Sequence, residues 1–403
     1  MRLRYDLLFL GFLLLNISLA IFGEKCYNLR KLFGENMKYI YQNPDWHNFR
    51  WHGEKIQKLL LDIKKAQGYL LGKMDVLGFD VKNNALLQVL TENIIKSSEI
   101  EGQILDKHIV RSSIARRLGI DIGGETPVSR DVEGVVEMML DATQNYADKM
   151  TKERLIGWHA ALFPTGYSGM YKIKVGQYRD DELGPMQVVS GSIGQEKVHY
   201  QAPNADILEK EMSDLIDYIN KQDDIDYLIK AGIVHLWFVA LHPFDDGNGR
   251  IARALTDMLL TRSDDTQYRF YSMSAQIQKN RNSYYDILEK TQKGSMDITD
   301  WLVWFLENLL IAIQSSEETT NTVLHKAEFW QKYSTTIFNE RQVKVLNRFM
   351  DNFEGNLTTA KWAKMCNCSQ DTATLDIKDL IDKKIFVKVG SGRSTHYKFK
   401  NKI

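Results

Sequence analysis

One run of twelve residues constrains this chain more than any other segment: HPFDDGNGRIAR, at positions 242–253. It follows an apolar segment, 231–241, and leads into a second helical pattern, 251–260. The run is therefore predicted to form a loop that opens a helix. Backbone N–H groups at a helix N-terminus are unpaired and carry partial positive charge, which suits them to phosphate. An anion-binding site is expected at the start of this helix.

The side chains of the run fit the same chemistry. Gly247 and Gly249 let the backbone curl and approach an anion closely. Arg250 and Arg253 are three residues apart, so both lie on one side of the helix and can reach phosphate oxygens. Asp246 supplies an oxygen ligand of the kind that suits Mg²⁺. The run thus predicts a site for a phosphate-bearing ligand with its magnesium ion.

The run resembles the signature loop of Fic-domain proteins, H-P-F-x-[DE]-G-N-G-R-x-x-R, and matches every defined position. Asp245 occupies the variable position and is assigned no role. Phe244 is expected to anchor the loop in the core. His242 stands at the loop entrance, where a histidine can take up a proton near pH 7. The alternative, a glycine-rich turn with charges placed by chance, fits the complete match less well.

The resemblance implies an autoinhibited protein adenylyltransferase, which moves AMP from ATP to a Tyr, Thr or Ser hydroxyl of a protein, including itself. His242 would be the catalytic base, and Asp246 would hold Mg²⁺ against the phosphates. Phosphate oxygens would be bound by the loop and the helix that follows it, through Gly247, Asn248, Gly249, Arg250 and Arg253. Transfer from another nucleotide donor on the same fold is the alternative.

A short β-prone region interrupts the helical pattern. Residues 184–191 and 198–203 predict a hairpin. In the family such a hairpin is a flap that docks the protein substrate by pairing with its backbone. By resemblance, residues at the turn would also touch the nucleotide: Ser190, Gly191, Ser192 and Ile193. An ordinary surface hairpin is the alternative.

The prediction of an adenine pocket depends on the resemblance alone. The expected helix 283–292 would face the adenine through three side chains: Tyr284, Tyr285 and Gln292. Simple packing of the two tyrosines is the alternative. His159 and His235 lie within apolar helices and are interpreted as core residues.

A second motif precedes the loop. Ser97 and Glu101 are four residues apart on one face of an expected helix, which Gly102 can terminate. The segment resembles the inhibitory motif [ST]-x-x-x-E-[GN] of many Fic proteins. By resemblance, Glu101 pairs with Arg253, and an arginine paired inside the protein cannot bind the γ-phosphate. The alternative is an ordinary helix end.

Hydrophobic spacing predicts a mainly α fold, with a Fic-type helical core, the hairpin flap and a C-terminal winged helix. The helices expected before the winged helix are 51–71, 84–98, 131–147, 152–162, 205–220, 225–241, 251–260, 283–292 and 298–315. The expected divisions are an apolar leader (1–36), an N-terminal helical region with the inhibitory helix (37–120), the Fic catalytic core (121–315), and a linker helix with the winged helix (316–403).

The C-terminal pattern follows the winged-helix order. Its helices are expected at 341–350, 358–365 and 369–382, and its strands at 385–389 and 395–399. The third helix carries aspartates that would repel DNA if exposed, namely Asp371, Asp376, Asp379 and Asp382. Wing residues Arg393, Lys398, Lys400 and Lys402 only partly offset them. A protein-contact or homodimerisation role is therefore favoured over DNA binding, with a nucleotide-sensing transcriptional regulator as the alternative.

Bulk composition limits the partners and the cellular compartment expected for this protein. The 52 basic and 52 acidic side chains cancel, so no overall field attracts nucleic acid or membrane. Three cysteines offer no disulfide framework, which favours a cytoplasmic protein. The N-terminus has the shape of a signal or anchor within residues 1–22, with Arg2 and Arg4 before an apolar stretch. A dispensable leader is preferred, and membrane anchoring or export is the alternative.

Overall fold

The structure is a computed structural model, and it describes residues 39–75, 78–120, 129–182, 184–191, 195–350, 353 and 355–400. The expected leader, residues 1–36, lies outside the described residues, as do Ser192 and Ile193 of the flap turn. The chain divides into two compact units, one comprising residues 1–76 and 82–316, the other 77–81 and 317–403.

Helices dominate the described residues, which confirms the mainly α prediction. In chain order they are α1 (Gly53–Asp75), α2 (Phe79–Ile100), α3 (Lys107–Leu118), α4 (Arg130–Gln144), α5 (Lys152–Leu162), α6 (Leu208–Asn220), α7 (Tyr227–Leu241), α8 (Asn248–Asp264), α9 (Met273–Lys279), α10 (Arg281–Gln292), α11 (Thr299–Lys332), α12 (Glu340–Met350), α13 (Thr359–Cys366) and α14 (Gln370–Asp382). None of them combines the length and apolar composition needed to cross a bilayer.

Helices α7 and α8 form the centre of the first unit. Nearly every residue of both is buried, as expected for helices that are covered on all sides. Residues 242–247 join them, so the loop is fixed at each end by a packed helix. A site on such a loop is held more precisely than one on a surface connection.

Every helix expected from the sequence overlaps an observed one, but α3 and α9 were missed. Both carry capping signals. Asp106 accepts hydrogen bonds from the N–H groups of His108 and Ile109 at the start of α3, and Gly119 ends that helix with φ +67°. Ser272 caps α9 through the N–H of Ala275. These two helices are short and their apolar spacing is weak. Their capping residues were therefore the sequence signal that could have predicted them.

Helices α4 and α5 approach each other closely at Gly134. A methyl group on this residue would lie 1.7 Å from the Ala161 carbonyl oxygen of α5. We expect Gly134→Ala to destabilise the protein by about 1–3 kcal/mol, because the helices must move apart. Gly157→Ala on α5 is the matched control: its added methyl group meets no described atom within 4 Å, so stability should stay equal or rise by about 1 kcal/mol. Urea unfolding midpoints test this, and equal shifts for both variants would contradict it.

The described strands form three antiparallel pairs: β1 (Tyr167–Ser168) with β2 (Tyr171–Lys172), β3 (Gln187–Ser190) with β4 (Lys197–Gln201), and β5 (Phe386–Val389) with β6 (His396–Phe399). The β3–β4 pair is the expected hairpin. Its register shifts between Val188, opposite Tyr200, and Val189, opposite Val198. His199 is therefore the extra residue of a β-bulge, a feature that redirects a side chain.

The second unit has helices α12, α13 and α14 followed by β5 and β6, which is the order expected for a winged helix. Its core is apolar and includes Trp362 and Phe386. Of the aspartates on α14, Asp376 is buried and paired with Arg341 at 2.7 Å, and Asp379 accepts a hydrogen bond from Gln342 at 2.7 Å. These two carboxylates serve the unit's own packing, so they count less against DNA binding than their number in the sequence suggests.

Candidate functional site

The loop between α7 and α8 has a residue with left-handed backbone geometry at each end. His242 ends α7 in the left-handed region, with φ +48°, and its N–H donates to the Phe238 carbonyl at 3.0 Å. Gly247 starts α8 with φ +84°. A Cβ atom at Gly247 would also lie 2.9 Å from the Phe163 ring. Glycine is therefore required there by both conformation and space.

The inside of the loop is closed by Asn248. Its side-chain nitrogen donates to the Phe244 carbonyl at 2.7 Å, and its side-chain oxygen accepts from the Phe244 N–H at 3.0 Å. Phe244 is fully buried and stacks on His159 with ring centroids 4.1 Å apart. Phe244 thus lies in the core, as expected. The Asn248 amide, by contrast, is engaged within the loop rather than directed at an anion.

The two loop aspartates have different surroundings. Asp245 accepts a hydrogen bond from the Lys174 N–H at 2.8 Å, so it braces the loop. Asp246 accepts from the Gly247 N–H at 2.6 Å and from the Ser168 hydroxyl, and its side chain remains half-exposed. The described residues contain no cluster of three metal-binding side chains. Mg²⁺ commonly takes one or two carboxylates together with substrate phosphates, so Asp246 fits that ion.

His242 is held in its neutral form at pH 7. Burial lowers the pKa of its imidazole to about 4, and the nearby positive charge of Arg179 acts in the same direction. Arg179 also fixes the residue, because its Nε donates to the His242 carbonyl at 2.8 Å. The same guanidinium donates to the Pro203 carbonyl after β4 at 2.6 Å, which ties the hairpin to the loop. A neutral imidazole at pH 7 is the form that a base requires.

We expect His242 to stay neutral well below the usual range of a histidine. Its folded-state pKa is depressed to about 4, so the neutral form is lost only as the pH falls toward that value. A histidine with the ordinary pKa of about 6.5 would already be about 90% protonated at pH 5.5. Titration of the imidazole carbon-bound protons by NMR, assigned with His242→Gln, measures this. Protonation with a midpoint near pH 6.5 would contradict the expectation.

Both arginines of the run leave a buried N–H group without a hydrogen-bond partner among the described residues. For Arg250 the group is Nε, and for Arg253 it is Nη1. The rest of the Arg250 guanidinium contacts Gln103 at 3.1 Å and lies 5.0 Å from the Phe163 ring centroid. A buried cationic donor left unsatisfied is costly. The two donors are therefore placed to take an anion as a partner at the start of α8.

Arg253 is held by the end of α2. Its Nε and Nη2 donate to the hydroxyl and carbonyl oxygens of Ser97, each at 2.8 Å, and Nη2 also lies 2.8 Å from Glu101 Oε1. The Arg253 side chain is 2% exposed, whereas that of Glu101 is 34% exposed. The structure thus brings together the residues of the two motifs that the sequence singles out.

Glu101 is placed by a specific helix end. Gly102 has φ +78°, its N–H donates to the Glu99 carbonyl, and the Gln103 N–H donates to the Ser98 carbonyl. These bonds form a Schellman motif. The Glu101 carboxylate oxygen then lies 2.0 Å from where a Cβ atom of Gly249 would be. The carboxylate therefore covers the N-terminus of α8, where an external anion would otherwise bind.

The hairpin is tied to α10 through Ser190, which was expected to touch the nucleotide, and through His199 and Glu289, which the sequence reasoning missed. Ser190 Oγ lies 2.5 Å from His199 Nε2, and His199 Nδ1 lies 2.5 Å from Glu289 Oε2. Glu289 also pairs with Lys293 at 2.7 Å. His199 makes both contacts from the bulge, and a bulge has no clear signal in one sequence. Gly191, with φ +111°, begins the flap turn.

The three side chains expected around an adenine differ in how far they are buried. Tyr284 is buried, and its hydroxyl lies 2.8 Å from Nε2 of the core residue His235. Gln292 is also buried, with its amide directed at the Val239 carbonyl at 3.5 Å. Tyr285 is 36% exposed, beside the Arg281 guanidinium. Tyr284 therefore packs in the core, and Tyr285 is the member of this set with an accessible ring.

Comparison with known proteins now assigns the loop and its helices. Residues 149–260 match the Fic/DOC family. The chain contains a Fic domain. Residues 39–120, before the Fic domain, match a domain of unknown function (DUF4172), and residues 350–400 match the C-terminal domain of DIP2311-like transcriptional regulators.

Relatives of the Fic domain include two named enzymes. Protein adenylyltransferase Fic of Nematostella vectensis is 24% identical over 254 residues, 60% of this chain and 54% of the relative. Protein adenylyltransferase fic-1 of Caenorhabditis elegans is 39% identical over 56 residues, 13% of this chain and 11% of the relative. The chain thus spans about half the length of the first relative and a small part of the second.

The fold is shared with a solved structure. A Fic family protein from Desulfovibrio desulfuricans G20 superposes with a TM-score of 0.51 at 18% identity, covering 86% of this chain and 96% of the other. The Fic-type core expected from the sequence is confirmed by this likeness and by the family match.

Proposed function

We propose that this protein is an autoinhibited adenylyltransferase that transfers AMP from ATP to a hydroxyl side chain of a protein, itself included, in the cytoplasm. The observation that carries the proposal is the pair of unsatisfied, buried N–H groups on Arg250 and Arg253 at the start of α8. A polyphosphate supplies several acceptor oxygens for such donors. The names of the relatives add support for the adenylyl donor.

The proposed reaction begins at His242. Its neutral ring takes the proton of the target's Tyr, Thr or Ser hydroxyl. The hydroxyl oxygen then bonds to the α-phosphorus as the bond from that phosphorus to the pyrophosphate oxygen breaks. Asp246 would hold Mg²⁺, which neutralises phosphate charge when bound. Backbone N–H groups of Asn248 to Arg250 and the two arginines would position the remaining phosphate oxygens, whereas the Gly247 N–H is engaged by Asp246. Most of the rate gain would then come from alignment and charge stabilisation.

The target would dock on the hairpin. Strands β3 and β4 form a two-stranded pair with no third described strand beside either of them, and an extended peptide can add to the edge of such a pair. The link from Arg179 to both Pro203 and His242 fixes the hairpin relative to the base. A target hydroxyl carried on that added strand would be presented to the loop.

The donor is tested with the Glu101→Gly protein, in which the carboxylate over Gly249 is removed. The protein is incubated with Mg²⁺ and labelled ATP, UTP, GTP or CDP-choline, and self-modification is read by mass spectrometry. We expect the protein's mass to increase by that of one AMP group when ATP is the donor, and little modification with the other three donors. Labelling from another donor in preference to ATP would replace this proposal with the alternative chemistry on the same fold.

Asp246→Ala should abolish transfer together with its dependence on Mg²⁺, because this half-exposed carboxylate is the proposed oxygen ligand of the ion. Asp245→Ala is the matched control: that carboxylate braces the Lys174 backbone, so activity should fall less and should still respond to Mg²⁺. Magnesium titrations of AMP incorporation compare the two. An Asp246→Ala protein that remains magnesium-activated, beside an Asp245→Ala protein that does not, would reverse the assignment.

A nucleotide-sensing transcriptional regulator is the second candidate. The similarity of residues 350–400 to a transcriptional regulator's C-terminal domain favours it. If this unit binds DNA through basic side chains, affinity should fall steeply with salt concentration. A mobility-shift assay across salt concentrations distinguishes the candidates. Absence of a shift at low salt would leave the second unit as a protein-contact or dimerisation module.

A further inference from the structure

The face of α2 that leads to Glu101 follows α8 in a regular antiparallel register. Successive contacts are four residues apart on each helix, which is about one helical turn. From the helix end inward, the three contacts are Glu101 with Gly249 and Arg253, Ser97 with Arg253, and Asn93 with Asp257. The first two involve the motifs of the proposed reaction. The third lies outside both motifs.

The contact at Asn93 is fully buried, and both the nitrogen and the oxygen of its amide have a partner. Asn93 is 0% exposed, its Nδ2 donates to Asp257 Oδ2 at 2.7 Å, and its Oδ1 accepts from the Ser272 hydroxyl at 2.6 Å. The other carboxylate oxygen of Asp257 pairs with Arg269 at 2.5 Å. These four side chains join α2, α8 and the segment before α9. The bonds among them depend on the register of α2 on α8, although Arg269 Nη1 itself has no hydrogen-bond partner among the described residues.

The ion pair between Glu101 and Arg253, at the other end of this series of contacts, is less buried. Because a third of the Glu101 side chain is exposed, its ion pair with Arg253 is weakened by solvent and salt. A slip of α2 by one residue would shift it by about 1.5 Å along its axis and turn it by about 100°. That slip would break the buried hydrogen bond from Asn93 to Asp257, which leaves an Asn93 donor unpaired and Asp257 with Arg269 as its remaining partner. Such a loss inside the core is disfavoured. The buried contact therefore opposes the motion that would carry Glu101 away from Gly249.

We propose that Asn93 is a positioning residue for autoinhibition. It fixes the register of α2 on α8, and so holds the Glu101 carboxylate over the N-terminus of α8 from two helical turns away. Asn93 needs no contact with ATP or target to do so. This inference rests on the proposed function, and specifically on Glu101 as the inhibitory group.

The test is Asn93→Leu, which keeps a similar volume and removes both hydrogen bonds. AMP incorporation is measured in two backgrounds, wild type and Glu101→Gly. We expect a rise of roughly three- to tenfold in the wild-type background, the effect of about one buried hydrogen bond on an equilibrium. We expect no rise in the Glu101→Gly background, where the inhibitory carboxylate is already absent. General damage to the fold would instead lower activity in both.

Thr91→Val is the matched control. Thr91 is also buried on α2, but its hydroxyl donates to the Leu87 carbonyl within the same helix. It should leave AMP incorporation unchanged in both backgrounds. Asn93→Asp is the second variant, in case the leucine prevents folding: it keeps the size but opposes the carboxylate of Asp257, and should raise transfer at least as much. Thermal melting of each variant verifies the fold.

Hydrogen exchange separates this proposal from the function that it deepens. Peptides covering residues 97–103 should exchange faster in Asn93→Leu than in Thr91→Val, whether or not any transfer is detected. Faster exchange without label in any variant, Glu101→Gly included, would overturn the proposed function. A folded Asn93→Leu protein with wild-type transfer and wild-type exchange would overturn the role of Asn93. So would an equal rise in the two backgrounds.

Discussion

Replacing His242 with alanine in the Glu101→Gly background is expected to lower AMP transfer by about 10²–10⁴, the usual contribution of a catalytic base. ATP binding should be retained. The reason is where these residues lie: His242 ends α7, whereas the residues proposed to bind phosphate lie at the start of α8. The ring can therefore be removed without deleting Gly247, Arg250 or Arg253.

Two measurements distinguish loss of the base from loss of the loop. ATP affinity, by calorimetry with Mg²⁺, should change little in His242→Ala, while single-turnover transfer falls. His325→Ala, at an exposed position on α11 in the second unit, should match the parent in both. If His242→Ala weakened ATP binding as much as transfer, its effect would be structural. Unchanged turnover would remove His242 from the reaction.

The sequence predicted the geometry of the loop well because that geometry is local. Twelve consecutive residues carry the helix end, the glycine that φ +84° requires, and the charges, so their geometry is largely set by neighbours in the chain. Glu101 could be singled out for the same reason, since Gly102 marks its helix end. Its distance to Arg253 could not be obtained from spacing. It came from resemblance to a family in which that pair is known.

Contacts between distant segments account for what the sequence left out. Asn248 is polar and lies in the loop, so the sequence is equally compatible with anion binding and with hydrogen bonds to the Phe244 backbone. The structure shows the hydrogen bonds to Phe244. Tyr284 is adjacent to Tyr285 in the chain, yet Tyr284 is buried and Tyr285 is exposed. The pairing of His199 with Glu289 depends on a bulge. In each case the residue type permits several partners, and tertiary packing selects one.

Glu101→Gly is expected to raise AMP transfer by roughly 5- to 150-fold, the usual span of coupling between two sites. Arg253→Ala, which breaks the same ion pair, should not raise it. Removing Glu101 frees the Arg253 guanidinium and uncovers Gly249 at the start of α8. Removing Arg253 deletes a buried donor that the phosphates need. The two variants should therefore move transfer in opposite directions although both abolish the 2.8 Å contact.

The measurement is AMP incorporation into the protein itself and into a cell lysate, at matched ATP and Mg²⁺ concentrations. Glu99→Gly is the matched control: it also places glycine at the end of α2, but Glu99 pairs with Lys96 at 2.7 Å rather than with α8. Activation by Glu99→Gly equal to that by Glu101→Gly would mean that flexibility of the helix end, not the carboxylate, sets the rate. Activation by Arg253→Ala would mean that the ion pair restrains the site without the arginine serving the phosphates. No gain from Glu101→Gly would leave Glu101 as an ordinary helix-terminal residue, because the carboxylate over Gly249 would then block nothing that the reaction requires.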